Sequence, residues 1–336
     1  MRAKNFAQKS KKVLLIVVAN VLPILVILFL ADLYLQKYKG YQAFKRNYPG
    51  QYENGKIPVW AKSDSILGWT ATQEWMPPEI NAQGFRDTKD FDGIDLISGK
   101  KRIMILGDSF TFGFLLKADE NIPSLLQAKL NENYDVFNFG MNGFGIDQMY
   151  LAYLQYKDII DPHIVILNFI DDDALRVIDA YRFVEQLNKP SFTVIDEKLV
   201  PRTCMLSGQR NFNEIMSKSI LFSFLMREIY FFTEAKPVVN HLFREMDQDI
   251  NKRGGKFVVM RIPTPDNDNA LEKLRRWLYN IDSNMERSNI TYLDPVGEIK
   301  KLPNWKTDYY FSDGHINAKG NEFLADYLLM QIFSTN

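Results

Sequence analysis

The feature that most constrains this chain is a short apolar run, Ile103-Met104-Ile105-Leu106, which ends at once in Gly107-Asp108-Ser109. A run of this kind followed by turn residues predicts a buried strand that stops abruptly and leaves its serine at the top of a sheet. A helix beginning after Gly113 would point backbone N–H groups toward that serine. The stretch therefore favours a site for a serine nucleophile, although an ordinary strand-to-loop turn has the same character.

The rest of the chain alternates apolar strands with amphipathic helices. Further strands are predicted at 134–139, 163–170, 256–262 and 290–293, and helices at 119–131, 149–159, 271–285 and up to 333. The continuous apolar run 163–170 is typical of a strand buried on both faces of a parallel sheet. This alternation predicts an α/β fold with a doubly wound, flavodoxin-like parallel sheet of five strands, which binds ligands at the carboxyl ends of its strands.

Composition excludes several kinds of function. The formal net charge of the 336 residues is +0, so no global field favours nucleic acid as a partner. The chain has one cysteine, Cys204, and three histidines, His163, His241 and His315. These numbers favour neither a disulfide framework nor a multi-histidine metal site, and no cofactor is expected.

The amino-terminal residues have the composition of a membrane helix. Residues 13–30 form an apolar run broken only by Asn20 and Pro23, and a basic stretch precedes it. About 20 apolar residues span a bilayer, and a basic flank tends to stay in the cytoplasm, so we expect a single-pass signal anchor. Lysines also follow the run, and a cleaved signal peptide or a buried helix remains an alternative.

These observations divide the chain into predicted segments. They are a cytoplasmic tail at 1–12, an anchor at 13–35, a stalk and lead-in at 36–100, and an extracytoplasmic or periplasmic domain at 101–336 with an insertion at 174–253. Within the insertion we expect a helix at 175–187, a hairpin at 193–200 and an aromatic-rich helix at 219–232. That last helix either forms a lid over a substrate or packs on the main core.

Residues 107–113 resemble the first block of the SGNH (GDSL-like) hydrolases, and candidates for the other three blocks follow in order. The resemblance implies the SGNH hydrolase fold with Ser109 as the nucleophile. It also implies that the backbone N–H groups of Ser109 and Gly143 are oxyanion donors. In the last block it implies that His315 is the base and that Asp313 is the acid that orients it.

Two blocks depart from the family pattern. The acid usually stands three residues before the histidine, a position held here by Ser312, whereas Asp313 gives the shorter Asp-x-His spacing. The third block usually reads Gly-x-Asn-Asp, and our alignment puts Ile170 at the glycine and Asp172 at the asparagine that completes the oxyanion hole. An ionised carboxylate about 4 Å from an oxyanion would cost roughly 4 kcal/mol at an effective dielectric near 20.

Three outcomes are open for this third block. Asp172 is protonated in a desolvated site, or it turns away while another donor such as Asn168 serves, or hydrolysis is weak. The lead-in element 80–87 also resembles an Asn-x-x-Gly-Phe-Arg element of membrane-anchored bacterial SGNH proteins. In that element Phe85 either packs in the core or contacts substrate.

The resemblance implies a serine esterase that forms an acyl-serine intermediate. The expected substrate is an acylated small molecule or polysaccharide, with acyl or acetyl groups removed from, or transferred to, cell-surface carbohydrate. Because Asp172 replaces an asparagine, the alternative is a weak or inactive domain that serves as a glycan-binding or scaffold protein.

Overall fold

The computed structural model describes residues 60–76, 78–130, 132–179, 181–182, 187–201, 231–265 and 290–333, and four isolated positions between 23 and 30. Within these residues, no helix is both long enough and apolar enough to cross a bilayer. The expected anchor at 13–35 falls outside them except at those four positions. The helix expected at 271–285 also falls outside, as does the helix expected at 219–232 except at 231–232, which begin a π-helix. Membrane attachment therefore stays a prediction.

The described residues form eleven strands. In chain order they are β1 (Ala61–Asp64), β2 (Gly68–Ala71), β3 (Lys101–Gly107), β4 (Tyr134–Gly140), β5 (Ile164–Phe169), β6 (Tyr181–Arg182), β7 (Leu187–Asn188), β8 (Phe192–Ile195), β9 (Lys198–Pro201), β10 (Lys256–Arg261) and β11 (Thr291–Leu293). The α-helices are α1 (Ser109–Phe112), α2 (Ile122–Lys129), α3 (Ile146–Ile160), α4 (Asp171–Arg176), α5 (Lys236–Lys252), α6 (Val296–Ile299), α7 (Trp305–Asp308) and α8 (Ala318–Phe333). A π-helix at Phe231–Ala235 leads into α5.

Five of these strands form one parallel sheet in the order β11-β10-β5-β3-β4, which confirms the predicted fold class. From β3 the chain moves outward to β4, then crosses back to β5 on the other side of β3. The order of strands thus reverses between β3 and β5, and this switch point is where open α/β sheets bind ligands. Ser109 follows the first of these strands and Asp171 follows the second.

Alternate residues of the strands fill two cores on opposite faces of the sheet. Ile103 and Ile105 of β3 pack with α2 and α8, whereas Met104 and Leu106 pack with α3 and α5. Since both faces are covered, the strands need apolar residues at successive positions and not only at every second one. The apolar runs that predicted the strands follow from this layering.

The lead-in element at 80–87 packs against the sheet and does not form a free arm. Phe85 is fully buried, with its ring 4.9 Å from that of Phe139 and 5.6 Å from that of Tyr156. The Asn81 side chain accepts from Phe85 N, and Gly84 has a φ of +84° that favours glycine. The interpretation of Phe85 as a core residue is therefore confirmed.

The insertion departs from its predicted structure. The hairpin expected at 193–200 is confirmed as β8 and β9, but the helix expected at 175–187 is wrong. Helix α4 ends at Arg176, and the short strands β6 and β7 follow. Tertiary contacts override the local pattern here, because Leu187 is buried and the next residue, Asn188, packs its carbonyl closely against Gly68.

Candidate active site

The nucleophile turn is tighter than its sequence predicts. A helix does not begin after Gly113; it begins at Ser109 itself and ends at Gly113, whose φ is +82°. Asp108 caps this helix, since its Oδ1 atom accepts from Phe110 N at 3.0 Å. The serine therefore stands at the junction of strand and helix, with its backbone N–H at the start of the helix.

Two glycines at the ends of β3 and β4 allow α1 to sit directly on the sheet. A Cβ on Gly140 would lie 2.2 Å from the Phe112 nitrogen, and one on Gly107 would lie 2.1 Å from Thr111 Oγ1. No side chain fits at such separations. The position of the nucleophile thus depends on the absence of a side chain at both strand ends.

The structure brings Ser109, His315 and Asp313 into one hydrogen-bonded relay. Ser109 Oγ lies 2.9 Å from His315 Nε2, and His315 Nδ1 lies 2.8 Å from Asp313 Oδ2. A carboxylate accepts only, so Nδ1 carries the proton and Nε2 is left to accept the proton of the serine. This is the arrangement that activates a serine hydroxyl.

The short Asp-x-His spacing is accommodated by both oxygens of one carboxylate. Asp313 Oδ1 accepts from the backbone N–H of His315 at 3.0 Å while Oδ2 faces the ring. The histidine ring also packs against Phe110 and Phe114, with ring centroids 5.0 and 5.1 Å away. Ser312, at the usual acid position of the family, is exposed.

The loop after β4 presents Gly143 beside the nucleophile turn. Met141 N donates to Gly107 O at 3.1 Å, and the indole N–H of the fully buried Trp69 donates to Asn142 O at 3.0 Å. Gly143 has a φ of +78°, a conformation that glycine adopts without strain. Among the described residues, neither its N–H nor that of Ser109 is used in another hydrogen bond, so both suit an oxyanion hole.

The structure shows the surroundings of Asn168 and Asp172, the two residues considered for the oxyanion hole near the third block. The Asn168 side chain is fully buried and donates to Thr111 Oγ1 at 3.2 Å, which uses one of its two amide N–H groups. The side chain of Asp172 is 50% exposed and its Oδ2 lies 3.9 Å from Arg176 Nη2. Asp172 therefore occupies neither a dry site nor an isolated one, and its role in the oxyanion hole stays a prediction.

Behind the nucleophile lies a buried charge cluster that sequence reasoning missed. Arg176 pairs with the fully buried Asp173 and lies 3.3 Å from Asp108, which is also buried. Burial, together with the neighbouring Asp108 carboxylate, raises the pKa of Asp173 well above its usual value. Asp173 also accepts from Ile170 N at 2.9 Å, which fixes the first turn of α4.

Two further buried cations, from the lead-in element and from the insertion, contact segments next to the site. Arg86 of the lead-in element is buried and donates to the carbonyls of Gly113 and Leu116, which follow the nucleophile helix. Lys189 of the insertion pairs with Asp147 at the start of α3, and both side chains are fully buried. Neither pairing has a signal in the local sequence, because the partners are separated by tens of residues.

A groove of about 550 Å³ lies between the loop that follows α1 and residues close to His315 in sequence. Its lining includes Leu115, Lys117, Glu120, Phe311, Asn317 and Lys319, but neither Ser109 nor His315. Leu115 is exposed and has a φ of +67°, which is uncommon for a leucine. The groove is thus a mixed apolar and polar surface formed by the segments 115–120 and 311–319.

The remaining histidines have structural environments. His163 Nδ1 accepts from Arg102 N at the start of β5, the end of the strand away from the site, and burial lowers its pKa. His241 lies within hydrogen-bonding distance of the carbonyls of Pro237 and Glu197. Cys204 lies outside the described residues.

Comparison with known proteins places these observations in a family. The model of the GDSL-like Lipase/Acylhydrolase family matches residues 105–323, about two thirds of the chain. A search of the curated proteins finds no match. The match begins within the strand before Ser109 and continues into the last helix, so it includes the whole relay.

Solved structures of the same kind are similar at low identity. A member of the lipolytic protein G-D-S-L family from Veillonella parvula DSM 2008 is 14% identical, covering 70% of this chain and 100% of its own, with a TM-score of 0.44. The lipase/acylhydrolase from Enterococcus faecalis is 15% identical, covering 69% and 95%, with a TM-score of 0.41. The acetyl xylan esterase AlAXEase is 16% identical, covering 69% and 100%, with a TM-score of 0.45.

Proposed function

The chain belongs to the GDSL-like lipase/acylhydrolase family, and from that premise we propose that it is a serine esterase that forms an acyl intermediate on Ser109. The observation that carries the proposal is the complete relay from Ser109 Oγ to His315 and Asp313, at 2.9 and 2.8 Å. A serine without a base is a poor nucleophile, so the relay supports chemistry over mere retention of a pocket.

In the first half of the reaction, Ser109 Oγ attacks the ester carbonyl while its proton moves to His315 Nε2. The carbonyl oxygen becomes an oxyanion, for which the N–H groups of Ser109 and Gly143 are the available donors. When the C–O bond breaks, His315 returns the proton to the leaving alcohol. Asp313 stabilises the imidazolium and keeps the ring in the required tautomer.

In the second half, an acceptor replaces the alcohol and attacks the acyl-serine. His315 takes the proton of the acceptor, and the tetrahedral intermediate collapses to release Ser109, which recovers its proton. Water as the acceptor gives hydrolysis, and a sugar hydroxyl gives acyl transfer. The same residues perform both reactions.

The groove formed by the segments 115–120 and 311–319 supports carbohydrate as the alcohol portion of the substrate. His315 protonates the leaving oxygen, so the alcohol lies on the histidine side, where Phe311 and Asn317 flank the ring in sequence. The half-buried Phe311 ring and the lysines of the groove combine an apolar contact with hydrogen-bond donors, a mixture that a polyhydroxylated ligand can use. We propose acyl or acetyl groups on cell-surface carbohydrate as the substrate.

The test is labelling of the purified full-length chain with a fluorophosphonate probe, read by intact mass and by peptide mapping. We expect one adduct, on Ser109, which is lost in Ser109→Ala and in His315→Ala. Ser312→Ala is the matched control, an exposed serine close to the relay, and should label at the parental rate. A folded parent that gains no adduct would contradict the esterase and favour a glycan-binding or scaffold protein.

We also propose that residues 13–35 anchor the chain in a membrane, with the catalytic domain outside the cytoplasm. The support is the apolar run and its basic flank in the sequence. Membranes from cells that make the full-length chain should retain it through alkaline carbonate extraction. Release into the soluble fraction would contradict the anchor.

A further inference from the structure

Arg176 contacts three segments around the nucleophile: the turn before Ser109, the loop after Gly143 and the first turn of α4. It ends α4, and its side chain is 12% exposed. Its Nη1 atom pairs with Asp173, lies 3.3 Å from Asp108 Oδ2 and donates to the carbonyl of Phe144 at 2.9 Å. Ser109 Oγ lies 3.5 Å from that same Asp108 oxygen.

These contacts connect parts of the chain that are far apart in sequence. Asp108 immediately precedes Ser109, and Phe144 immediately follows Gly143, so the guanidinium is one residue removed from each backbone donor. Arg176 also contacts Asp172 and Asp173, which lie in the first turn of α4. Nη1 contacts Asp108, Phe144 and Asp173. Nη2 faces Asp172, so the guanidinium uses two nitrogens where a lysine ammonium has one.

The charge of Arg176 matters as well as its geometry. Asp172 stands where the family has a neutral asparagine, and its carboxylate lies 3.9 Å from Arg176 Nη2. An oxyanion that forms near this carboxylate is repelled by it, and a guanidinium on the same side reduces that repulsion. A neutral residue in place of Arg176 would remove this offset.

Resting on the proposed esterase function, we infer that Arg176 is the positioning residue of the oxyanion hole. It holds the turn of Ser109 and the loop of Gly143 in fixed relation, and its charge offsets the carboxylate of Asp172. A purely structural ion pair would instead stabilise the fold without a specific effect on the transition state. The two roles are separable, because only the first couples Arg176 to Asp172 in turnover.

The experiment compares Arg176→Gln, Arg176→Lys and Asp172→Asn, alone and combined, in hydrolysis of 4-nitrophenyl acetate by the full-length chain. We expect Arg176→Gln to lower kcat about 10²-fold with KM within about twofold, as when an oxyanion donor is lost. Arg176→Lys should lie between Arg176→Gln and the parent. Adding Asp172→Asn to Arg176→Gln should recover about tenfold in kcat, more than the rise that Asp172→Asn gives in the parent.

Arg253→Gln is the matched control, since Arg253 also sits at a helix end and contacts two carboxylates, Asp158 and Asp249, away from the relay. It should leave kcat unchanged. If Arg176→Gln does not fold, Arg176→Lys with and without Asp172→Asn carries the same comparison. Equal kcat effects of Asp172→Asn in both backgrounds, or parental kcat in Arg176→Gln, would overturn the inference. A parent that neither hydrolyses the ester nor reacts with fluorophosphonate overturns the proposed function instead.

Discussion

The buried pair between Lys189 and Asp147 should be among the most sensitive points of the fold. Both side chains are fully buried, and Asp147 also accepts from Gln148 N at 3.0 Å in the first turn of α3. Removing one partner of a buried pair leaves an uncompensated charge and typically costs about 3–5 kcal/mol. For a domain of this size, Lys189→Met should lower the melting temperature by roughly 10 °C.

The loss should depend on which partner is removed and on pH. Asp179 adds a second negative charge near Asp147, so Lys189→Met should cost more than Asp147→Asn. Burial raises the pKa of Asp147 although Lys189 lowers it, so without the lysine this pKa is higher still and the native variant binds the proton more tightly than the unfolded chain. Stability from that proton is present at low pH and is lost as pH rises, so the deficit of Lys189→Met should be smaller near about pH 5 than near about pH 8.

The assay is thermal unfolding of the parent, both single variants and Lys189→Met/Asp147→Leu, which replaces the pair by apolar groups. The double variant should recover most of the loss, because no buried charge remains from the pair. Lys157→Met is the control. Lys157 is partly exposed, and its partner Asp249 still has Arg253 at 3.3 Å after the substitution. The loss in free energy of unfolding should therefore be about 1 kcal/mol or less. A Lys189→Met variant no less stable than this control, or a double variant no better than Lys189→Met, would refute the reasoning.

Three further predictions concern the relay and its support. Asp313→Asn should lower kcat by roughly 10⁴-fold with little change in KM, because an amide donor facing Nδ1 favours the wrong tautomer, and Ser312→Ala should leave steady-state kinetics unchanged. Gly140→Ala should lower the free energy of unfolding in urea by about 1–3 kcal/mol and slow fluorophosphonate labelling, because the new Cβ would lie 2.2 Å from the backbone of α1. Labelling at the parental rate would contradict this packing. Arg86→Met should lower the free energy of unfolding by about 1–3 kcal/mol in the same assay, since the buried carbonyls after α1 lose their donor. A loss below about 0.5 kcal/mol would show that water replaces the arginine as donor.

The sheet and the relay were predictable because their signals are local. Each strand of a doubly wound sheet is buried on both faces, so apolar runs such as 103–106 and 163–170 mark them directly. Ser109 and His315 each stand within a short block of turn residues, so the sequence identified them without knowledge of their separation in space. Even the short spacing of Asp313 was a local question, which the hydrogen bond to His315 N answers.

What the sequence did not predict depends on distant contacts. The helix expected at 175–187 has an adequate local pattern, but Leu187 is buried beside β2 and Lys189 enters the interior to meet Asp147. The element at 80–87 includes Arg86 without indicating its partners, and Arg176 has no signal in the sequence, since arginines are usually exposed. Only the fold shows that carbonyls and carboxylates converge on them. Local propensity contains no information about such pairings.

The departures from the family pattern share a physical logic. A shorter Asp-x-His spacing would misplace the acid if one oxygen had to serve alone, but Asp313 uses one oxygen for the backbone of His315 and the other for its ring. On our alignment Asp172 stands at the asparagine position, where a carboxylate would repel an oxyanion, and it lies 3.9 Å from the guanidinium of Arg176. We propose that this neighbouring charge offsets the substitution, as the second oxygen of Asp313 offsets the shorter spacing. Loss of activity therefore cannot be read from a missing family residue until the groups around its position have been identified.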